Sequence, residues 1–305
     1  MARKGHKTKT RSASSDPVRI GIIGGSGLYN MPGLKDTREL RLKTPFGAPS
    51  DALVVGSLEG KRVVFLARHA RGHRFLPSEI NYRANIHAMK QLGVEKIISI
   101  SAVGSLREDL KPLDFLIPDQ FYDRTSHRVS TFFGEGVVAH VGFDKPVCAQ
   151  LTGLLGDACD RAKVRVHHGG TYMCMEGPQF STLAEAQVYR QLRFEVIGMT
   201  NVTEAKLARE AEICFATVAM ITDYDCWHPD YASVTLEEII SNLTKNAAHA
   251  QNVIREAVRS IPSERACKCG SALAHAIITD LSVISAAARK RLNVIAGKYL
   301  APGAR

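Results

Sequence analysis

Short apolar runs rich in β-branched residues recur along this 305-residue chain, and helical patterns separate them. They fall at residues 18–23, 53–55, 62–67, 96–100, 115–117, 195–199 and 213–221. Several are apolar throughout, as expected of strands covered on both faces. Between them, Ser78 is placed to cap a helix through Leu92, with Ile80, Ala84, Ala88 and Leu92 along one face and Gly93 as its stop. Further helices are predicted at 146–163, 182–192 and 203–212. A Thr235…Glu238 capping box opens a long one to about Ser260, and an Ala-rich one is expected from Ser271 to near Lys290. Strands alternating with helices predict an α/β fold on a parallel or mixed sheet. No internal repeat or linker divides the chain. The expected organisation is a disordered basic tail over 1–17, one domain over 18–288 and a basic C-terminal tail over 289–305 that can continue the last helix.

The formal net charge is +10, which invites a nucleic-acid reading. Its distribution argues otherwise. Residues 1–19 hold six basic side chains against one acidic, and 289–305 hold five against none, which leaves 29 of each sign in 20–288. On this reading the body is neutral and the ends carry the excess. The basic N-terminus is followed by no apolar stretch of the secretory kind, and no uncharged apolar run approaches ~20 residues. A cytoplasmic protein without a membrane partner is expected.

Of seven cysteines, only Cys267 and Cys269 stand close together in sequence. A structural zinc site takes about four ligands, and no second pair lies near, so no metal is expected. A local disulfide and two idle thiols remain the readings of that pair. The other five read as small core residues.

Four segments carry candidate chemistry. Gly24-Gly25-Ser26-Gly27 follows the first strand but lacks the third glycine of a dinucleotide fingerprint and the Gly-Lys-Ser/Thr ending of a P-loop. It is an anion-holding turn or simply a tight one. Arg68-His69-Ala70-Arg71-Gly72-His73-Arg74 crowds basic groups after a buried strand, suiting either an anionic ligand in a crevice or a solvated loop. Ser101-Ala102-Val103-Gly104-Ser105 ends another strand in small residues that allow close backbone approach. Finally, Asp223 and Asp225 follow the most apolar strand beside the only tryptophan, Trp227. They are placed to bracket a heterocycle, one of them protonated through burial, or else to cap a turn. There is no Gly-x-Ser-x-Gly elbow and no His-Glu-x-x-His spacing.

Taken in order, these segments resemble the trimeric purine nucleoside phosphorylase superfamily and, within it, the methylthioadenosine phosphorylase family. The resemblance runs over roughly residues 20–260. It rests on Gly24 to Leu28, Thr44-Pro45-Phe46-Gly47, Arg68-His69 through Pro77-Ser78, Asn81-Tyr82, Gly104 to Glu108, Asp119-Gln120-Phe121, Glu176-Gly177-Pro178-Gln179-Phe180-Ser181, Met199-Thr200 and Thr222 to Trp227. It implies a twisted mixed sheet curling into a distorted barrel surrounded by helices. The implied reaction is reversible phosphorolysis of S-methyl-5′-thioadenosine to adenine and 5-methylthioribose 1-phosphate, with phosphate as co-substrate and no cofactor.

Carried over position by position, Ser26, Arg68, His69, Ser101, Ala102 (through its backbone) and Thr200 would bind phosphate. Met199 would meet the ribose hydroxyls, Phe180 would pack on the base with Ser181 at its edge, and His73 and Val234 would lie near the 5′-substituent. His140 would be lent to a neighbouring subunit's site in a homotrimer or dimer of trimers. Asp223 would donate to purine N7 and Asp225 accept from the 6-amino group, because a 6-oxo base would call for an amide donor. The Cys-x-Cys pair resembles one that forms a disulfide in some heat-adapted relatives. The competing functions are a purine nucleoside phosphorylase of broader preference, a hydrolytic nucleosidase that needs no phosphate, and nucleic-acid binding through the basic tails.

Overall fold

The computed structural model describes residues 18–25, 28, 31–229 and 236–301. Four strands form the buried centre of one sheet: β1 (Ile20–Gly24), β4 (Lys61–Ala67), β5 (Lys96–Ser105) and β11 (Cys214–Asp223). β1 lies between β4 and β5, and β5 between β1 and β11, all parallel. β2 (Lys35–Leu40) and β3 (Leu53–Leu58) extend the sheet antiparallel beyond β4. β6 (Phe115–Ile117) pairs antiparallel with β11, and β8 (Val166–His168) pairs parallel with β6. β10 (Val196–Gly198) pairs antiparallel with the far end of β5 and leads through β9 (Thr171–Met175) to β7 (Gln120–Arg124). The expected α/β class and mixed sheet are present. The sheet runs open from β2 to β7 and does not close into a barrel.

Both faces of the centre are covered, which explains the apolar runs. Ile23, Val64, Ile97 and Phe215 face a core shared with Ile86, Leu207, Leu292 and Ile295. These come from α1 (Tyr82–Gln91), α4 (Asn201–Glu210) and α6 (Ala286–Leu300). Ile22, Val63, Ile98 and Val218 face the other core, with Leu151 and Leu155 of α2 (Ala149–Arg161) and Val253, Ile254 and Val258 of α5 (Leu236–Ser260). The sixth helix, α3 (Leu183–Gln191), opens on a capping box in which Thr182 and Glu185 satisfy each other's backbone N–H groups. No helix among the described residues is long and apolar enough to cross a membrane.

Three expectations need correction. α1 starts at Tyr82, not after Ser78, because the Asn81 side chain accepts the Ala84 N–H while 76–79 closes a separate turn. The Ala-rich stretch from Ser271 is not one helix. Ile278 donates its N–H to Val138 and Ala276 accepts from His140, and this backbone pairing overrides helix propensity until Ser285 caps α6. The boundary at 288 therefore falls inside α6, whose Leu292, Ile295, Ala296 and Leu300 are core residues. Its charges also have internal partners: Arg291 pairs with Glu135, and Lys298 meets Glu212 at 2.6 Å. The segment is helical to Leu300, the continuation that the sequence allowed for it, and it packs as part of the fold. The Thr235 cap of α5 lies outside the described residues.

Leu292→Ala is expected to destabilise the protein by about 2–5 kcal/mol, read as a lower urea midpoint, and removal of 289–305 to abolish the cooperative transition. A truncated chain that unfolds like the full one would contradict the packing of α6.

Candidate active site

β5 keeps β11 on one edge along its whole length, from Lys96↔Cys214 to Gly104↔Asp223. On its other edge it pairs with β1 only as far as Ser99↔Ile23, then takes up β10 at Gly104↔Ile197 and Ser105↔Val196. The edge over 100–103 is left without a strand. A ligand crevice is expected where neighbouring strands part in this way.

Arg68, directly after β4, fills the inner end of that gap. Its Nη1 donates to the Ile100 carbonyl at 2.9 Å and its Nη2 to Ser99 Oγ at 2.6 Å. Nε and Nη2 donate to the two carboxylate oxygens of Glu204 at 2.5 and 3.1 Å. Burial works against the Arg68 charge, and the facing Glu204 carboxylate outweighs it. Ser99 and Asn201 complete the network: Ser99 Oγ donates to Glu204 at 2.7 Å, Asn201 Nδ2 to Ser99 at 3.2 Å, and Thr217 Oγ1 to Asn201 at 2.7 Å. Arg68 is thus anchored and neutralised at the inner end of the crevice, its side chain almost wholly buried. Glu204 has no signal in the sequence; it reads as one more acid on a helix.

Alternate residues of a strand turn their backbone groups to the same edge. Since the Ile100 carbonyl faces Arg68, the Ala102 N–H lies on the gap edge, and Ala102 is exposed there. Ser101 is buried beside Tyr172, with 3.1 Å between the hydroxyl oxygens. Thr200 stands at the N-cap of α4, yet its hydroxyl makes no capping bond. His69 uses Nδ1 against the Phe75 carbonyl at 2.8 Å and stacks on His73, ring centroids 4.2 Å apart. Burial pushes the His69 pKa down to about 4; the Phe75 carbonyl opposes this, and Arg68 and His73 add to it. The ring is neutral at pH 7, so Nδ1–H donates and Nε2 keeps its lone pair.

At the outer end of the gap, β11 is irregular between Ile221 and Asp223, which re-aims its last residues. Asp223 Oδ1 accepts the Asp225 N–H at 2.8 Å, and Oδ2 accepts the Thr222 hydroxyl at 2.6 Å. Gly104 is required here: a Cβ on it would lie 2.9 Å from Asp223 Oδ1 and 3.1 Å from Ile197. Burial pushes the Asp225 carboxyl up to about 6 against the pull of the Ser181 hydroxyl, and Asp223 adds repulsion. Asp225 Oδ2 and Ser181 Oγ are both buried, and neither makes a hydrogen bond of ordinary geometry among the described residues.

The loop carrying the acids is held from three sides. Trp227 Nε1 donates to the Ser105 carbonyl at 2.7 Å, and the Arg190 guanidinium lies 3.5 Å over the Trp227 ring. Asn242 and Asn246 of α5 donate to the Thr222 and Ile221 carbonyls at 2.8 and 2.9 Å. Arg128, also not singled out from the sequence, donates to the Glu176 side chain and carbonyl and to the Met199 carbonyl. It thereby ties Met199 to the loop that carries Phe180 and Ser181. Phe180 is exposed. His140 is exposed elsewhere, next to the Ala139–Ile277 bridge. Ser26 and Val234 lie outside the described residues.

Basic and hydroxyl groups thus stand at one end of the strand gap, and two carboxyl groups, one raised by burial, at the other. The Phosphorylase superfamily model matches residues 19–259, and the chain belongs to that family. Within it, the chain is 64% identical to the S-methyl-5′-thioadenosine phosphorylase of Koribacter versatilis, over 92% of this chain and 97% of that one. It is 57% identical to the protein of the same name from Geobacter sulfurreducens, over 92% and 99%. A solved methylthioadenosine phosphorylase from an antarctic soil metagenomic library superposes with a TM-score of 0.88 at 51% identity, covering 92% of this chain and 99% of that one.

Glu204→Gln leaves the buried Arg68 charge uncompensated and is expected to cost about 3–5 kcal/mol of stability, measured by urea unfolding. An unchanged midpoint would show that the pair is not the anchor described.

Proposed function

We propose that this chain catalyses the reversible phosphorolysis of S-methyl-5′-thioadenosine, giving adenine and 5-methylthioribose 1-phosphate. The observation that carries the reading is the pairing of two unlike ends across one strand gap. On this reading Arg68, the Ala102 N–H and the Ser101 and Thr200 hydroxyls would hold the anion. The Asp223–Asp225 pair, in which burial lets Asp225 hold a proton up to a pH of about 6, would meet the purine edge. The glycosidic bond breaks towards an oxocarbenium-like sugar, so the nucleophile must be positioned and the leaving base must gain a proton. Phosphate held by Arg68, Ser101, Ala102 and Thr200 serves the first need. His69 is neutral in the free site, and its Nε2 accepts a proton from the incoming phosphate or gains one as the dianion binds.

The acid pair serves the second need. A 6-amino purine presents an N–H donor beside the N7 acceptor, and two carboxyl groups sharing one proton complement that edge. Burial leaves the proton on Asp225 in the free site. Once the amino group donates to Asp225, its ionised form is favoured and the proton passes to Asp223, the donor to N7. On this reading Met199 and Phe180 would flank the ribose and base, Ser181 would close the base edge, and His73 would lie towards the 5′-substituent. We assign His140 to a neighbouring subunit's site in a homotrimer or dimer of trimers. Exposed Val138 and Ile278 beside it support such an interface. Arg291 and Lys298 of α6 pair with Glu135 and Glu212, which argues against nucleic-acid binding through the C-terminal segment.

Omitting phosphate is expected to stop adenine release from methylthioadenosine; continued release would identify a hydrolase. Asp223→Ala should lower kcat by about 10²–10⁴-fold, and Asp225→Asn should shift preference from adenosine towards inosine. An unchanged rate for Asp223→Ala would remove it from the acid role. The pH dependence has a defined sign. The proton is present below the Asp225 pKa of about 6 and lost above it. At saturating phosphate, kcat/KM for the nucleoside should therefore fall on the alkaline side of that value, and Asp225→Asn should abolish the step.

A further inference from the structure

Four of the seven cysteines meet far from the crevice. Cys148 N-caps α2, Cys214 opens β11, and Cys267 and Cys269 lie at the 3₁₀ turn Lys268–Ser271. Their sulfurs all lie within 4.8 Å of one another, with Cys214 and Cys267 at 3.3 Å. The expectation of no metal rested on the lack of a second pair near Cys267 and Cys269 in sequence. In the fold that pair exists, brought in by the start of a buried strand and the start of a helix.

We propose that Cys148, Cys214, Cys267 and Cys269 form a tetrathiolate site for a single zinc ion. Zn–S bonds of about 2.3 Å place the sulfurs of a tetrahedral site about 3.8 Å apart, which this cluster meets with small side-chain adjustments. A four-iron cluster would need the sulfurs spread around its own body, so one soft divalent ion fits the spacing better. Binding exchanges four thiol protons for one Zn²⁺, leaving a centre of charge −2 that needs compensation.

The surroundings supply it. Cys148 stands at the N-cap of α2, where the free N–H groups of the first turn favour a thiolate. Lys96 pairs in register with Cys214, and its ammonium is buried against the Pro262 and Ser263 carbonyls. The Arg265 guanidinium packs on Gly270, where a Cβ would lie 2.8 Å from Nη2. Cys148, Cys214 and Cys269 are buried and Cys267 is half-exposed, which provides an entry path. The ion would tie the segment after α5 to the ends of β11 and α2. That same segment continues to Ala276 and Ile278, which hold the strand of His140.

The test uses the full chain, reduced without chelators and offered zinc, then desalted and analysed for metal and free thiols. Zinc is expected at one ion per chain, with four fewer thiols reactive than the seven present. Cobalt in its place should give the charge-transfer and visible bands of a tetrahedral tetrathiolate. Cys267→Ser, at the half-exposed position, should weaken zinc at least about tenfold, and Cys267→Ser with Cys269→Ser should abolish uptake, whereas Cys159→Ala should retain it. Wild-type protein that takes up no zinc once reduced overturns the proposal, whether its four thiols stay free or pair as disulfides on isolation. So does zinc uptake unchanged in the double variant, or iron bound in preference to zinc.

Discussion

Between Ser99 and Gly104 one edge of β5 has no strand beside it, because β1 has ended and β10 has not begun. A buried backbone edge without hydrogen-bond partners is costly, and the chain meets that cost with a side chain. Arg68 donates to the Ile100 carbonyl from the inner end, and Glu204 repays the guanidinium for its burial. What remains of the edge, around Ala102, is open to a ligand. The gap that interrupts the sheet is thus also where its backbone edge becomes accessible.

The two ends of the gap are prepared differently. The inner end is rigid and polar, built on strand and helix ends and a network running from Arg68 to Thr217. The outer end is a bulged strand, a residue at positive φ (Asp225, 52°) and a tryptophan anchor, with α5 asparagines gripping the backbone from behind. Backbone strain of this kind persists only where the surroundings over-determine it. It holds the Asp223 carboxylate against the Asp225 backbone N–H and keeps the Asp225 carboxyl buried.

Much of this was legible in the residues. The apolar runs located β1, β3, β4, β5, β6, β10 and β11, because strands covered on both faces cannot hide their composition. β2, with the sequence Lys-Asp-Thr-Arg-Glu-Leu, escaped because it is an exposed edge strand without an apolar face. The far half of β5 escaped because Ser101 to Ser105 are small and read as a loop. The Arg68, Ser101 and Asp223 segments stood out because each puts polar groups after a buried strand. Glu204 and Arg128 did not, since their roles consist wholly of partners distant in sequence. The C-terminal charges misled for the same reason: Arg291 and Lys298 look like a basic arm until Glu135 and Glu212 are placed beside them.

By itself the sequence determined the fold class, the strand ends that carry chemistry and the family resemblance, because each is written in local composition and order. Tertiary structure alone decided which buried charges neutralise one another, which carboxyl is raised by burial, and that four cysteines scattered over 148–269 share one place. These depend on distance and desolvation, and both arise only when segments far apart in the chain are packed together.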